Sequence, residues 1–155
     1  MTEAKGGRAA LSGIEMMRGA AAGTFPRPPI DKLMGWEPLT IEPGFMRVRY
    51  RAKDDFNNPM GAVQGGVLAA MLDDAMSPAV LTLLEAGRFC PTLEMKVSFI
   101  RPALARTLVA EGRVVHKTGR YAHVEGRITT EDGELLATAT ATVAIVEAEI
   151  NMKED

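Results

Sequence analysis

The chain has 155 residues, which suits one compact domain and leaves little room for two. Apolar residues make up 46% and charged residues 25%, a balance that excludes disordered, collagen-like and disulfide-stapled chains. Eighteen basic against twenty acidic side chains give a net charge of -2, so no global positive field attracts nucleic acid or an anionic membrane. The single Cys90 cannot pair within the chain, and two histidines, His116 and His123, do not suggest a metal site.

In chain order, the first 23 residues are rich in Ala and Gly and carry both Glu and Arg. They lack the apolar centre of a secretory signal, and a short helix is expected over about 14–22. Residues 25–29 hold three prolines and read as an extended linker. Short strands are predicted at 36–41 and 45–52, around the Glu42-Pro43-Gly44 turn. Asn57-Asn58-Pro59-Met60-Gly61 is turn chemistry. From 67 to 84 the chain is almost wholly apolar, broken by Asp73, Asp74, Ser77 and Thr82. That run is too long for a strand and predicts a helix buried on most sides, with Gly87 as its C-terminal cap. Pro78 cannot donate to the carbonyl of Asp74, so the helix is expected to kink or loosen there.

Four more strands are predicted at 92–100, 107–117, 121–130 and 134–146. Arg101-Pro102, Thr118-Gly119 and Glu131-Asp132-Gly133 separate them as turn signals. In the last strand Ala137, Ala139 and Ala141 alternate with Thr138, Thr140 and Thr142. From Glu147 onward the chain is polar and acidic and reads as a solvated tail. No apolar run reaches the roughly 18 residues that a membrane span needs. The simplest packing is an α+β domain, a curved antiparallel sheet enclosing one long buried helix.

The segment 57–75 carries most of the chemistry. Gly65-Gly66 lies at the helix start, where free N–H groups and the positive end of the dipole suit an oxyanion; it equally suits a tight turn. Asp73 and Asp74 interrupt an apolar helix, where an unpaired charge is expensive. They can line a cleft as base or nucleophile, join a buried polar network, or face water. Arg113, Lys117 and Arg120 surround the Thr118-Gly119 turn, either as a phosphate contact or as a solvated hairpin tip.

Taken together, Asn58, Gln64-Gly65-Gly66, Asp73, Thr92-Leu93-Glu94, Phe99-Ile100-Arg101-Pro102-Ala103 and Gly119-Arg120 resemble the hotdog-fold acyl-CoA thioesterases of the phenylacetate-pathway (PaaI-like) group. The resemblance runs from about 54 to 146. It implies a hotdog domain over 30–147, an N-terminal extension and linker at 1–29, and a polar tail at 148–155. It implies catalytic roles for Asp73, Gly66, Asn58, Gln64 and Thr92. Gly66 would offer its N–H to the thioester oxygen, and Asp73 would attack the carbonyl or activate water. Asn58 and Thr92 would hold the nucleophile, water or carboxylate. Gly65, Lys117, Gly119 and Arg120 would lie along the coenzyme A.

Gln64 departs from the family pattern, which has His there; an amide can donate a hydrogen bond but cannot titrate. Gly66 and Asp73 are seven residues apart, about 10 Å along a helix, too far to flank one carbonyl from a single chain. That spacing favours a site shared by two subunits, and the resemblance implies a homo-oligomer, a dimer or a dimer-of-dimers homotetramer, with sites between subunits. The implied protein is a cytoplasmic hydrolase of small or medium aliphatic or aromatic acyl-CoA, with no metal or cofactor and no nucleic acid or membrane partner. Two other readings stay open: an acyl-thioester hydratase or dehydratase, and a non-catalytic acyl-CoA-binding module made plausible by Gln64.

Overall fold

In the computed structural model, which describes residues 11–104 and 106–147, three helices precede or interrupt eight strands. The helices are α1 (Gly13–Ala21), α2 (Pro29–Met34) and α3 (Gly65–Leu81). The strands are β1 (Glu37–Glu42), β2 (Phe45–Arg51), β3 (Arg88–Phe89), β4 (Thr92–Phe99), β5 (Thr107–Lys117), β6 (Tyr121–Thr130), β7 (Leu135–Ala144) and β8 (Val146–Glu147). Six strands form one antiparallel sheet in the order β1-β2-β5-β6-β7-β4, and β3 pairs with β8 in a short ribbon. The expected α+β class, one long helix against a curved antiparallel sheet, is what the chain adopts.

Burial explains the position of α3. Leu68, Met71, Leu72, Ala75, Met76, Ala79 and Val80 recur at helical spacing and are all buried. They face the inner surface of the sheet, where Met46, Val48, Tyr50, Leu108, Ala110, Val124 and Ile128 complete the core. The contact is close because two glycines sit opposite each other at its centre, Gly112 on β5 and Gly126 on β6. A Cβ at Gly112 would lie 2.3 Å from the Ala75 carbonyl oxygen, and one at Gly126 would lie 2.7 Å from the Met76 sulfur. Interior strand glycines here admit a helix backbone that any side chain would hold off. On β7 the alternation holds: Ala137, Ala139 and Ala141 are buried, and the threonines between them face outward.

Several boundaries differ from the sequence expectation. The helix begins at Gly65 rather than 67, because the Gln64 side chain caps it, and it ends at Leu81 with Thr82 as cap. Gly87 is not the cap; it takes φ 78° in the turn leading to β3. The helix runs through Pro78 for its final turn. The linker expected at 25–29 ends in α2, where Pro29 occupies the first helical turn and Gly35 closes it at φ 69°. Arg101-Pro102 is not a hairpin: β4 lies beside β7 at the sheet edge, and the chain crosses back to put β5 next to β2. Glu147 is no tail residue but pairs with Arg88 in the β3–β8 ribbon. The N-terminal helix docks through Gly13 N–H, which donates to Leu84 O at 2.9 Å. Residues 1–10 of the expected extension and the expected tail at 148–155 lie outside the described residues. Among the described residues no helix is long and apolar enough to cross a membrane.

Candidate active site

The loop before α3 is built around Asn58. Its side-chain oxygen accepts from Met60 N at 2.9 Å and Ala62 N at 3.2 Å, an Asx turn that leaves its amino group unused by those bonds. Asn57 bridges to Val63, and Val63 N donates to Ala103 O at 2.9 Å, which ties the loop to the segment after β4. Gln64 N donates to Phe56 O at 2.8 Å, so the loop delivers Gln64 in one fixed backbone position. A Cβ on Gly65 would meet the Phe99 ring at 3.0 Å, which places this end of α3 against the end of β4.

Gln64 then folds its side chain onto the helix start. Its Oε1 accepts from Gly66 N at 2.6 Å and Val67 N at 3.2 Å. The first-turn N–H groups of a helix have no intrahelical acceptor, so an amide carbonyl is drawn to them. From its sequence Gln64 was expected to donate; in the structure it accepts, and it occupies the N–H that the family resemblance assigns to substrate.

The two adjacent acids have different environments. Thr92 Oγ1 donates to Asp73 Oδ1 at 2.7 Å, which fixes Asp73 against the start of β4. The register of β4 on β7 slips between Thr92 and Glu94, so Thr92 pairs with Val143 while Glu94 pairs with Thr142. This bulge at Leu93 turns Thr92 inward toward α3 although Glu94, two residues on, points outward. Asp74 instead takes the Tyr50 hydroxyl on Oδ2 at 2.5 Å. Burial pushes its carboxyl up to about 6; the Tyr50 hydrogen bond opposes this, and the Asp31 and Asp73 charges add to it. The Tyr50 phenol is itself raised far above its ordinary range, chiefly by burial and then by Asp74. Of the roles left open for these acids, Asp74 takes the buried polar network. Asp73 stays half-buried beside a hydroxyl donor.

Lys117, Gly119 and Arg120 are exposed at the β5–β6 turn. Thr118 Oγ1 holds that turn by accepting from Tyr121 N at 3.1 Å, and the Arg120 carbonyl accepts from Ile145 N at 2.8 Å. The neighbouring Ala144 N donates to Pro91 O at 2.9 Å. The basic turn therefore shares the Thr92 end of the sheet, two strand spacings or about 10 Å away. Arg113 is not at this tip: it stacks 4.5 Å from the Phe45 ring centroid. A groove of about 480 Å³ beside it, between Phe45, Lys96, Glu125 and Arg127, includes neither Asp73 nor Thr92. Among the described residues no cluster of three or more His, Cys, Asp or Glu side chains is placed to hold a metal.

Within one chain the structure thus joins Asp73 to Thr92, and Gln64 to Gly66. It does not join the two pairs, which sit at opposite ends of the first nine residues of α3, about 10 Å apart. Two groups were given no role from the sequence. Tyr50 occupies an inward position of a strand that alternates with Arg47, Arg49 and Arg51, so it reads as core, and Ser77, which donates to Cys90 O at 2.9 Å, stood only as a polar break one helical turn after Asp73.

A long helix wrapped by a curved antiparallel sheet, with an acid on its inner half and a glycine pair at its start, defines a hotdog-fold protein. A protein of Ralstonia eutropha described as phenylacetic acid degradation-related has the same fold, with a TM-score of 0.77 and 37% identity over 82% of this chain and 97% of its own. A Bacillus halodurans protein solved with CoA superposes with a TM-score of 0.74 and 27% identity, over 88% of this chain and 91% of its own. A Saccharolobus solfataricus protein named as an esterase is 27% identical over 124 residues, 80% of this chain and 88% of its own. The Thioesterase superfamily profile matches residues 60–137, the loop, α3 and the strands through the start of β7. The chain belongs to that superfamily, in its PaaI-like hotdog group, and is a thioester hydrolase.

Proposed function

We propose that the substrates are coenzyme A thioesters of small or medium aliphatic or aromatic acids, hydrolysed at sites shared between two copies of the chain. The observation that carries this reading is the separation of Asp73 from Gly66 N–H on one helix, with a hydroxyl donor fixed on Asp73. A carbonyl attacked at one side and stabilised at the other needs both groups within about 3 Å. Two antiparallel α3 helices meet that need, each giving its start to the other's acid. Among the described residues β4 is an edge strand, and this supports the pairing, since Leu93, Phe99 and Ile100 are about half exposed there.

In this reading the thioester oxygen displaces Gln64 Oε1 from Gly66 N–H, one carbonyl oxygen for another. Asp73 accepts a proton from water as the water adds to the carbonyl carbon. The tetrahedral oxyanion collapses, the C–S bond breaks, and the thiolate takes the proton from Asp73. The balance is closed by water alone, with no metal or redox cofactor. Asn58 lends its remaining amino group to the water or carboxylate, and the exposed Lys117, Gly119 and Arg120 receive the phosphate end of coenzyme A. The 27%-identical Bacillus protein solved with CoA supports this ligand class.

A mixed dimer tests the reading. An Asp73→Asn chain and a Gly66→Pro chain, each folded and each inactive alone, are co-expressed and the heterodimer is isolated. One of its two sites then receives both good groups, so free-thiol release from an acyl-CoA returns to about half of the parent rate per dimer. Activity at the single-variant background in verified heterodimers would place both groups in one chain. Full turnover by the Asp73→Asn homodimer would remove Asp73 from the chemistry altogether.

A further inference from the structure

Ser77 lies four residues after Asp73, so the two share one face of α3 a single turn apart. Cys90 lies two residues before Thr92. The two pairs are bonded side by side: Thr92 Oγ1 donates to Asp73 Oδ1 at 2.7 Å, and Ser77 Oγ donates to Cys90 O at 2.9 Å. The Cys90 thiol returns a bond to Ser77 O at 3.4 Å, so the helix and the start of β4 are cross-tied twice at this level.

We infer that Ser77 is a positioning residue for the reaction, acting through Cys90 to hold the β4 bulge in the register that aims Thr92 at Asp73. This rests on the role of Asp73 proposed above. Two features give the tie its weight. Thr92 points inward only because β4 bulges at Leu93, and bulged backbone needs an anchor on at least one side. Pro91 O, bonded to Ala144 N, supplies one; Ser77 supplies the other, from the helix itself. In addition, Pro78 removes the helical N–H that would bind Asp74 O, so the turn carrying the acids lacks one of its own bonds directly after Ser77. A serine in mid-helix ordinarily bonds back to its own helix; this one reaches across to a strand.

The test uses shape-matched variants of the full chain and an acyl-CoA hydrolysis assay. Ser77→Val lacks the hydroxyl and Ser77→Thr keeps it, at nearly the same volume. Ser77→Val is expected to lower kcat about 3- to 10-fold with KM within about twofold, the range of a neutral hydrogen bond lost. Ser77→Thr should hold kcat near the parent value. In a Thr92→Val background the Ser77→Val change should cost almost nothing more, because the group it positions is gone. A purely structural Ser77 would lower the melting temperature and leave kcat unchanged, and that result overturns the inference. So does an equal kcat loss in both backgrounds. Parent-level turnover by Asp73→Asn is a separate result that removes the site reading and the inference with it.

Discussion

Replacing Gln64 by Ala tests the most unusual feature of the site. Gln64 Oε1 holds Gly66 N–H at 2.6 Å and Val67 N–H at 3.2 Å, so on the proposed reading a substrate carbonyl competes with an intramolecular acceptor. The net worth of such a bond is about 0.5–1.5 kcal/mol, which converts to a rise of roughly 2- to 10-fold in kcat/KM when the competitor is removed. The same change strips a helix cap, which costs about 0.5–2 kcal/mol of stability. Gln64→Ala should therefore be less stable and more active, an opposition that a mere loss of structure cannot produce. Gln64→Glu should act the other way, since a carboxylate binds the two N–H groups more strongly than an amide. The assay is free-thiol release over a range of acyl-CoA concentrations, with thermal unfolding of the same samples. A fall in kcat/KM for Gln64→Ala, with parent-level activity for Gln64→Glu, would show that Gln64 assists the substrate and would refute the competition argument.

Gly112→Ala should cost about 3 kcal/mol of stability, the upper end for overpacking, because its Cβ would sit 2.3 Å from a helix carbonyl; Gly119→Ala, with nothing within 4 Å, should change little. Denaturant unfolding of both checks this, and equal midpoints would mean that α3 is not seated on the glycine pair. Asp74 has a carboxyl raised to about 6 in the folded state, so the stability it contributes is full below its unfolded pKa near 4 and is lost as pH rises through 6. Asp74→Asn should remove a pH dependence on the order of 2 kcal/mol between about pH 4.5 and 7.5, and identical pH slopes for parent and variant would contradict it.

Much of the fold was legible because its patterns are plain. The apolar run of α3 is too long for a strand, and β7 alternates Ala and Thr, so run length gives the one element type and alternation the other. The place of β4 was not legible. Four strands in succession suggest a meander, and only the pairing of Phe99 with Ala137 rather than with β5 reveals the crossover. The β3–β8 ribbon is two residues long on each side, too short for any periodic signal. For the site, Asp73 and Asp74 stood out as charges in an apolar helix, the resemblance selected Asp73 and added Thr92, and the contact between those two depends on a bulge that strand alternation hides. Gln64 was visible as a departure; that it accepts rather than donates follows from the unpaired N–H groups beside it.

The polar residues of α3 divide the helix into segments with different duties. Asp74 turns to Tyr50 on β2 and anchors the helix to the sheet, where its neutral or ionised state bears on stability. Asp73 and Ser77 turn to the start of β4, which on the proposed reading is one half of the reaction site. The capped start, seven residues before Asp73, is the other half in that proposal. Because these halves are separated by about 10 Å of rigid helix, no side-chain motion within a chain can bring them onto one carbonyl. In the proposed dimer each carbonyl would see the start of one helix and the acid of the other. A substitution at Gln64 would then act on the partner's Asp73, and one at Ser77 or Thr92 on the partner's oxyanion donor. Variants in the two groups should accordingly complement each other in mixed dimers, whereas two variants within the Asp73–Thr92–Ser77 group should not.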